Sequence, residues 1–204
     1  WALRKSYQVV TLKYAQILFN KKLYDQVEYW LSRSLKNSID SKYQLIANLL
    51  MAECLSAQNE YDSSISYFNK VIKSGKVSKE QRINAYYGVG HAQYNLKQYE
   101  MAYKNFSLFM SLNTSKNHSY LNDAVLRAAD CLFVLKRFDE SISLYRKNNG
   151  NSGQEYASYQ IANIYYLKNE LERAQKMFED FIKIYPNSFL ADNAIFQLGE
   201  ILID

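Results

Sequence analysis

Only one proline, Pro186, and six glycines punctuate the 204 residues. A β-sandwich needs turn residues every ten or so positions, so this scarcity favours long helices. Histidine is just as sparse. His91 and His118 stand far apart, His118 within the polar 113–119 connection, and neither HExxH nor CxxC occurs. A metal site needs three or four converging ligands, so no donor set is visible for a metal or other cofactor. Two cysteines, Cys54 and Cys131, give no disulfide framework. No apolar run approaches the ~18 residues of a membrane span. The chain begins at Trp1 without a signal-peptide pattern. It reads as a piece of a longer protein, whose compartment the N-terminus does not disclose.

What the chain has in abundance is aromatic: nineteen Tyr, ten Phe and two Trp. Tyr can pack its ring and keep its hydroxyl wet, which suits a surface that is half core and half groove. Hydrophobic residues make up 48%, enough to bury a core rather than remain disordered. The net charge is +5, but the longest basic clusters are pairs such as Arg4-Lys5 and Lys21-Lys22, with acidic residues interspersed. A nucleic-acid binder concentrates its basic residues on one face or in a run, so that function ranks last here.

One pattern recurs along the chain. A small residue is followed by a hydrophobic one three or four positions later and by a large apolar one, usually aromatic, nine positions later. A small or β-branched residue comes three after that, and a bulky one four later still. The copies read Ala15, Leu18, Tyr24, Val27, Leu31; Ala52, Leu55, Tyr61, Ser64, Phe68; Gly90, Tyr94, Tyr99, Ala102, Phe106; Ala129, Leu132, Phe138, Ser141, Tyr145; and Ala162, Tyr165, Leu171, Ala174, Phe178. Gly199 and Leu202 open a sixth. The small residues are spaced 37, 38, 39, 33 and 37 apart. Apolar positions at three- and four-residue steps are helical, and each copy divides at a short polar turn. The reading is eleven helices, near 6–20, 24–37, 41–57, 61–74, 80–96, 99–112, 119–135, 138–147, 154–168, 171–185 and 188–203. A lone helical hairpin cannot bury its apolar face, so neighbours must stack.

These copies resemble the tetratricopeptide repeat. The best is Tyr159-Gln160-Ile161-Ala162-Asn163-Ile164-Tyr165-Tyr166 with Leu171, Ala174 and Phe178, closing on Tyr185-Pro186-Asn187. The resemblance implies an all-α, right-handed α-solenoid of helix–turn–helix repeats over residues 1–204, with five full repeats and a terminal helix. A narrower likeness lies in Tyr185-Pro186-Asn187-Ser188, Ala191, Ala194 and Leu198-Gly199-Glu200-Ile201. It is similar to the linker style of bacterial envelope repeat proteins such as the barrel-assembly lipoprotein and the Tol–Pal coordinator. Four of the five spacings exceed the usual ~34 residues, which fits that style and tilts the expected compartment towards the bacterial envelope.

In that family the first helix of each repeat lines a concave groove. The facing positions would be Leu12, Gln16 and Phe19; Leu49, Glu53 and Ser56; Tyr87, His91 and Tyr94 with Asn95; Leu126, Asp130 and Phe133 with Arg127; and Tyr159, Asn163 and Tyr166 with Tyr156 and Gln160. Tyr supplies contact area with few rotors to freeze, and amides can pair with an extended backbone. Members that grip a C-terminal carboxylate use a Lys and Asn clamp. Asn163 matches one such asparagine, and Asn20 and Asn95 another, but the lysines are missing, so no clamp is expected.

The expected function is a non-catalytic scaffold offering this groove to a peptide, helix or neighbouring domain of protein. The alternative is a ligand- or peptide-sensing domain that controls an attached effector. Gly88-Val89-Gly90 lacks the third glycine of a dinucleotide site and reads as close helix packing. Asn148–Gly153 reads as a flexible loop without a phosphate-loop lysine. Cys54 and Cys131 both fall two after a small residue, which makes them buried thiols two repeats apart, too far to bridge. The terminal helix would expose Ile195, Leu198 and Leu202, a face suited to dimer formation.

Overall fold

The computed structural model describes residues 2–113, 119–148 and 153–203. It is a series of helices in the expected order, and no strand occurs among the described residues. The helices are α1 (Ala2–Asn20), α2 (Tyr24–Lys36), α3 (Ser41–Ala57), α4 (Tyr61–Ile72), α5 (Lys79–Asn95), α6 (Tyr99–Leu112), α7 (Leu121–Val134), α8 (Phe138–Lys147), α9 (Gln154–Leu167), α10 (Leu171–Ile184) and α11 (Ala191–Ile203). They gather into two compact units, residues 1–113 and 114–204. His118 and residues 149–152 of the glycine-asparagine loop lie outside the described residues.

The recurring pattern is the core. Ala15, Ala52, Ala129 and Ala162 are buried, as are Val27, Ser64, Ala102, Ser141 and Ala174 twelve positions after each small residue. Sixteen after it come Leu31, Phe68, Phe106, Tyr145 and Phe178, all buried. Where serine takes the twelfth place its hydroxyl is satisfied inside the hairpin. Ser64 Oγ donates to the Ala52 carbonyl at 2.8 Å, and Ser141 Oγ to the Ala129 carbonyl at 2.9 Å. In the third copy the slot three after the small residue holds Gln93 rather than an apolar side chain. It is buried and accepts a hydrogen bond from Asn105 Nδ2 at 2.8 Å.

The turn inside each repeat has one geometry. The residue seven after the small one is left-handed in every copy: Lys22 (φ 58), Asn59 (φ 65), Lys97 (φ 60), Lys136 (φ 58) and Asn169 (φ 60). The next amide then folds back on the first helix, as Leu23 N–H does to the Leu18 carbonyl and Arg137 N–H to the Leu132 carbonyl. This satisfies carbonyls that the helix end would otherwise orphan. The aromatic nine after the small residue opens the second helix at once in four copies, and Leu171 does so in the fifth.

Two helix starts differ from the sequence expectation by three residues or more. The first helix begins at Ala2, not residue 6, and α11 begins at Ala191, not 188. Ser188 makes the second difference. Its hydroxyl accepts from Leu190 N–H at 2.9 Å and its carbonyl from Ala191 N–H at 3.1 Å, so it forms a turn ahead of the helix. In the first unit, Gln8 on α1 is buried yet fully used. Its amide donates to Ser38 Oγ and the Asp40 carbonyl, and its oxygen accepts from the Ile39 and Asp40 amides. One side chain thereby fastens the α2–α3 connection to α1.

The glycine pair in α5 serves close packing. A Cβ on Gly88 would lie 2.3 Å from the tip of the Phe68 ring on α4, and one on Gly90 would lie 3.0 Å from the Phe106 ring on α6. Gly153, just before α9, has φ 90, and an added Cβ would meet Leu126 at 2.5 Å, so both conformation and space demand glycine there.

Candidate functional site

In the first unit the expected site residues lie along α5. A capping box starts the helix: Ser78 Oγ accepts from Gln81 N–H at 3.2 Å, and the Gln81 side chain accepts from Ser78 N–H at 3.1 Å. The Tyr87 ring packs against Phe106 and Phe109 of α6, with centroids at 6.0 and 5.5 Å, and stands 6.3 Å from His91. Asn95 Nδ2 donates to the His91 carbonyl at 2.8 Å and lies 3.2 Å from His91 Nδ1. Tyr94 meets Tyr99 edge-on at 5.8 Å. These four side chains therefore form one braced row, half-buried except for the exposed Asn95. Glu53, on α3, is exposed, yet desolvation holds its carboxyl above the usual carboxylate range.

The second unit holds the rest of the set on α7 and α9. Asp130 is the correction: it was expected to face the groove, and it is 4% exposed. Its carboxylate is the hub of a network. Arg127 Nη1 donates to Oδ2 at 2.6 Å, while the Tyr145 and Tyr156 hydroxyls donate to Oδ1 at 2.6 and 2.9 Å. Arg127 also reaches Asp123 at 3.4 Å. A buried carboxylate is tolerable because every donor around it is aimed at it. Burial, and then the Asp130 charge, push the Tyr145 phenol well above its ordinary pKa. So Asp130 positions Arg127 and Tyr156 but is not itself a contact surface. Leu12 and Leu126, also expected on the exposed face, are buried in the core.

On α9, Tyr156, Tyr159, Gln160, Asn163 and Tyr166 are half-buried. Tyr159 packs on Phe178 at 5.9 Å and Phe181 at 5.8 Å, and burial raises its phenol pKa. Tyr166 packs at the edge of the same core. The Gln160 side-chain oxygen is buried without a hydrogen-bond partner among the described residues. The sequence expects these positions to face a groove, and each is half-buried. The sequence did not mark the Asp130 hub. The available signal was Tyr145, the one tyrosine at a place otherwise held by Leu or Phe: a buried hydroxyl needs an acceptor.

Chemistry is thinly provided elsewhere. Cys54 and Cys131 are both buried free thiols, and burial pushes each up to about 12. Among the described residues no group of three His, Cys, Asp or Glu side chains could hold a metal ion, and no helix is long and apolar enough to cross a membrane.

Comparison with known proteins agrees with this architecture. The sequence model of the tetratricopeptide repeat matches residues 47–74 and 156–188, which fall in the second and fifth copies. No curated protein matches the chain. Among solved structures, YrrB, described as a TPR protein with an unusual peptide-binding site, is 20% identical with a TM-score of 0.72, covering 90% of this chain and 89% of its own. MamA is 17% identical with a TM-score of 0.75, covering 89% and 93%. A putative kinesin light chain of Podosopora anserina with nearly identical TPR-like repeats is 13% identical with a TM-score of 0.65, covering 89% and 93%. At these identities the likeness is one of fold. The two matched segments carry the tetratricopeptide-repeat pattern, and the described residues form an all-α helical-repeat fold similar to that of these proteins.

Proposed function

We propose that the chain is a non-catalytic scaffold whose first-helix faces, that on α5 in the first unit and that on α9 in the second, each bind an extended peptide or a helix of a partner protein. The observation that carries this reading is the α9 row. Tyr156, Tyr159, Gln160, Asn163 and Tyr166 are half-buried, so their rings are held by the core while one edge of each meets solvent. Rings fixed in this way offer contact area with little entropy left to lose, and the Asn163 amide can both donate and accept along a peptide backbone. Tyr87, His91, Tyr94 and Asn95 offer the same chemistry on α5. The peptide-binding site that YrrB is described as having supports the class of ligand.

The test is selection from a displayed peptide library on the immobilised chain. The selected peptides are then rebound to Asn163→Ala/Tyr166→Ala and to Tyr94→Ala/Asn95→Ala. Binding weakened about tenfold or more by either pair, with the melting temperature held, supports the reading. Peptides that bind both variants as tightly as the parent would overturn it.

A further inference from the structure

In the first unit, a cleft of about 400 Å³ lies between the last turns of α2 and α4 and the first turns of α3. Leu35 and Leu45 give it an apolar wall, and the Tyr67 ring stands beside them. Asn48 of α3 opens onto it. This asparagine is only 8% exposed, yet its side-chain amide makes no hydrogen bond with a described residue. The repeat register shows that packing does not call for an amide there. Asn48 stands four before the small residue Ala52. Four before Ala129 the place is taken by Val125, just as buried at 8%. Four before Ala15 it is Thr11, whose hydroxyl donates to the Tyr7 carbonyl of its own helix at 2.8 Å. Burying an amide without a partner costs free energy, so the partner of Asn48 has to come from the cleft.

The charge beside this cleft has one sign. From the last turn of α4 to the first turn of α5 the chain carries Lys70, Lys73, Lys76, Lys79 and Arg82 against one acidic residue, Glu80. None of the five cations makes an ion pair among the described residues. Three of them are held in place by other means. Lys70, which lines the cleft, has its Nζ 3.8 Å from the centre of the Tyr67 ring. Ser41 and Ser74 also line it. Lys76 Nζ donates to Ser41 Oγ at 3.0 Å, and Arg82 Nη2 to the Ser74 carbonyl at 3.2 Å. Arg82 Nε is buried with no hydrogen-bond partner among the described residues. Asp40, next to Ser41 in the chain, is already engaged by Lys5 at 3.2 Å and by the Lys42 amide at 3.0 Å.

We propose that this cleft binds a small organic anion, a phosphate or carboxylate group carried on a compact apolar body. Lys70 meets the anionic oxygens, and the unpaired charges of Lys76 and Arg82 add to the attraction. Ser41 accepts from Lys76, which leaves its own proton free to donate to the ligand. The Asn48 amide supplies a hydrogen bond from the buried side, and Leu35 and Leu45 cover the apolar body. The volume falls within the range of about 300–1,000 Å³ usual for small-molecule sites. The cleft shares no residue with the α5 or α9 row, so it stands or falls separately from peptide binding.

Nuclear magnetic resonance titration of the full chain with phenyl phosphate, and separately with benzoate, tests it at constant ionic strength. The expected result is a saturating shift of the Asn48 side-chain amide and of the backbone amides around Ser41 and Ser74. The probe that saturates at the lower concentration identifies the anionic group. Asn48→Val adopts the residue that the fourth repeat has at this place. It is expected to melt no lower than the parent while the dissociation constant rises about tenfold or more. Lys70→Gln, at an exposed side chain, is expected to weaken binding about tenfold as well. Lys21→Gln removes the same charge beyond the other end of α2 and is expected to leave binding unchanged. No shift with either probe overturns the proposal. So do shifts that grow without saturating, or an Asn48→Val chain that binds as tightly as the parent.

Discussion

Phe68 and Tyr145 occupy the same place in two repeats, sixteen residues after the small one, and their ring ends meet opposite surroundings. Phe68 runs into the backbone of Gly88 on the next first helix, where even one added carbon has no room. Tyr145 ends in a carboxylate, Asp130, which Tyr156 from the next first helix also reaches. Each ring thus links its own hairpin to the following one, the first by apolar close approach and the second by hydrogen bonds. Packing at the repeat boundary is set by what the ring end touches. A single phenolic oxygen is enough to draw the residue after the small one inward, from the exposed position that Glu53 keeps in the second repeat.

The largest expected effect comes from removing the hub. Asp130→Ala leaves the buried Tyr145 hydroxyl without its acceptor and Arg127 without its nearest carboxylate, and is expected to cost about 3–5 kcal/mol in chemical denaturation. Gly88→Ala attacks the other boundary. Its Cβ forces the Phe68 ring to move, at about 1–3 kcal/mol, offset in part by the better helix propensity of alanine. Gly90→Ala is the milder case: its Cβ would lie 3.0 Å from the Phe106 ring, which must give slightly, so a smaller cost than that of Gly88→Ala is expected. Phe68→Tyr tries the second solution in the first setting. With Gly88 against the ring tip the hydroxyl has no room, and the denaturation midpoint is expected to fall.

Tyr145→Phe sharpens the comparison by pH. Its cost near neutrality is about 1–2 kcal/mol, read from the same denaturation curves. The folded phenol has a raised pKa, so above the ordinary value of about 10 the unfolded chain loses the proton while the folded chain keeps it. Stability from this group is therefore full below about pH 10 and lost as pH rises further. Cys54 and Cys131, pushed up to about 12, act in the same direction, their loss beginning nearer the ordinary thiol value of about 8.5. Denaturation midpoints measured towards alkaline pH are expected to fall less steeply in Tyr145→Phe than in the parent. The smallest effect concerns the turns. Lys97→Gly or Lys136→Gly relieves a left-handed non-glycine residue and is expected to raise stability by about 0.5–1 kcal/mol. A thermal melt reads it.

Much of this was legible beforehand, and for a physical reason. Helix period and the fixed offsets of small and aromatic residues follow from packing, so residues such as Ala52, Ser64 and Phe68 announced the core directly. The turns were visible only as polar stretches. Their left-handed residue is Lys or Asn, not the glycine that would have signalled it. Asp130 was misplaced because a charged residue beside the small one reads as solvent-facing unless the partner hydroxyl, fifteen residues on, is counted with it. The α11 start was displaced by Ser188, whose hydroxyl forms a turn that composition alone does not separate from a helix cap.

These features divide the molecule between residues that hold it together and residues proposed to meet a partner. The measurement that tests this division pairs affinity for a selected peptide with melting temperature on two variants, Asn163→Ala/Tyr166→Ala and Asp130→Asn. The first is expected to lose peptide affinity about tenfold or more while melting like the parent. The second keeps an amide oxygen to accept from Tyr145 and Tyr156, so Tyr156 stays in place, and it is expected to melt lower yet bind normally when assayed well below its transition. Normal binding by the first variant, or lost binding by a fully folded second, would contradict the account.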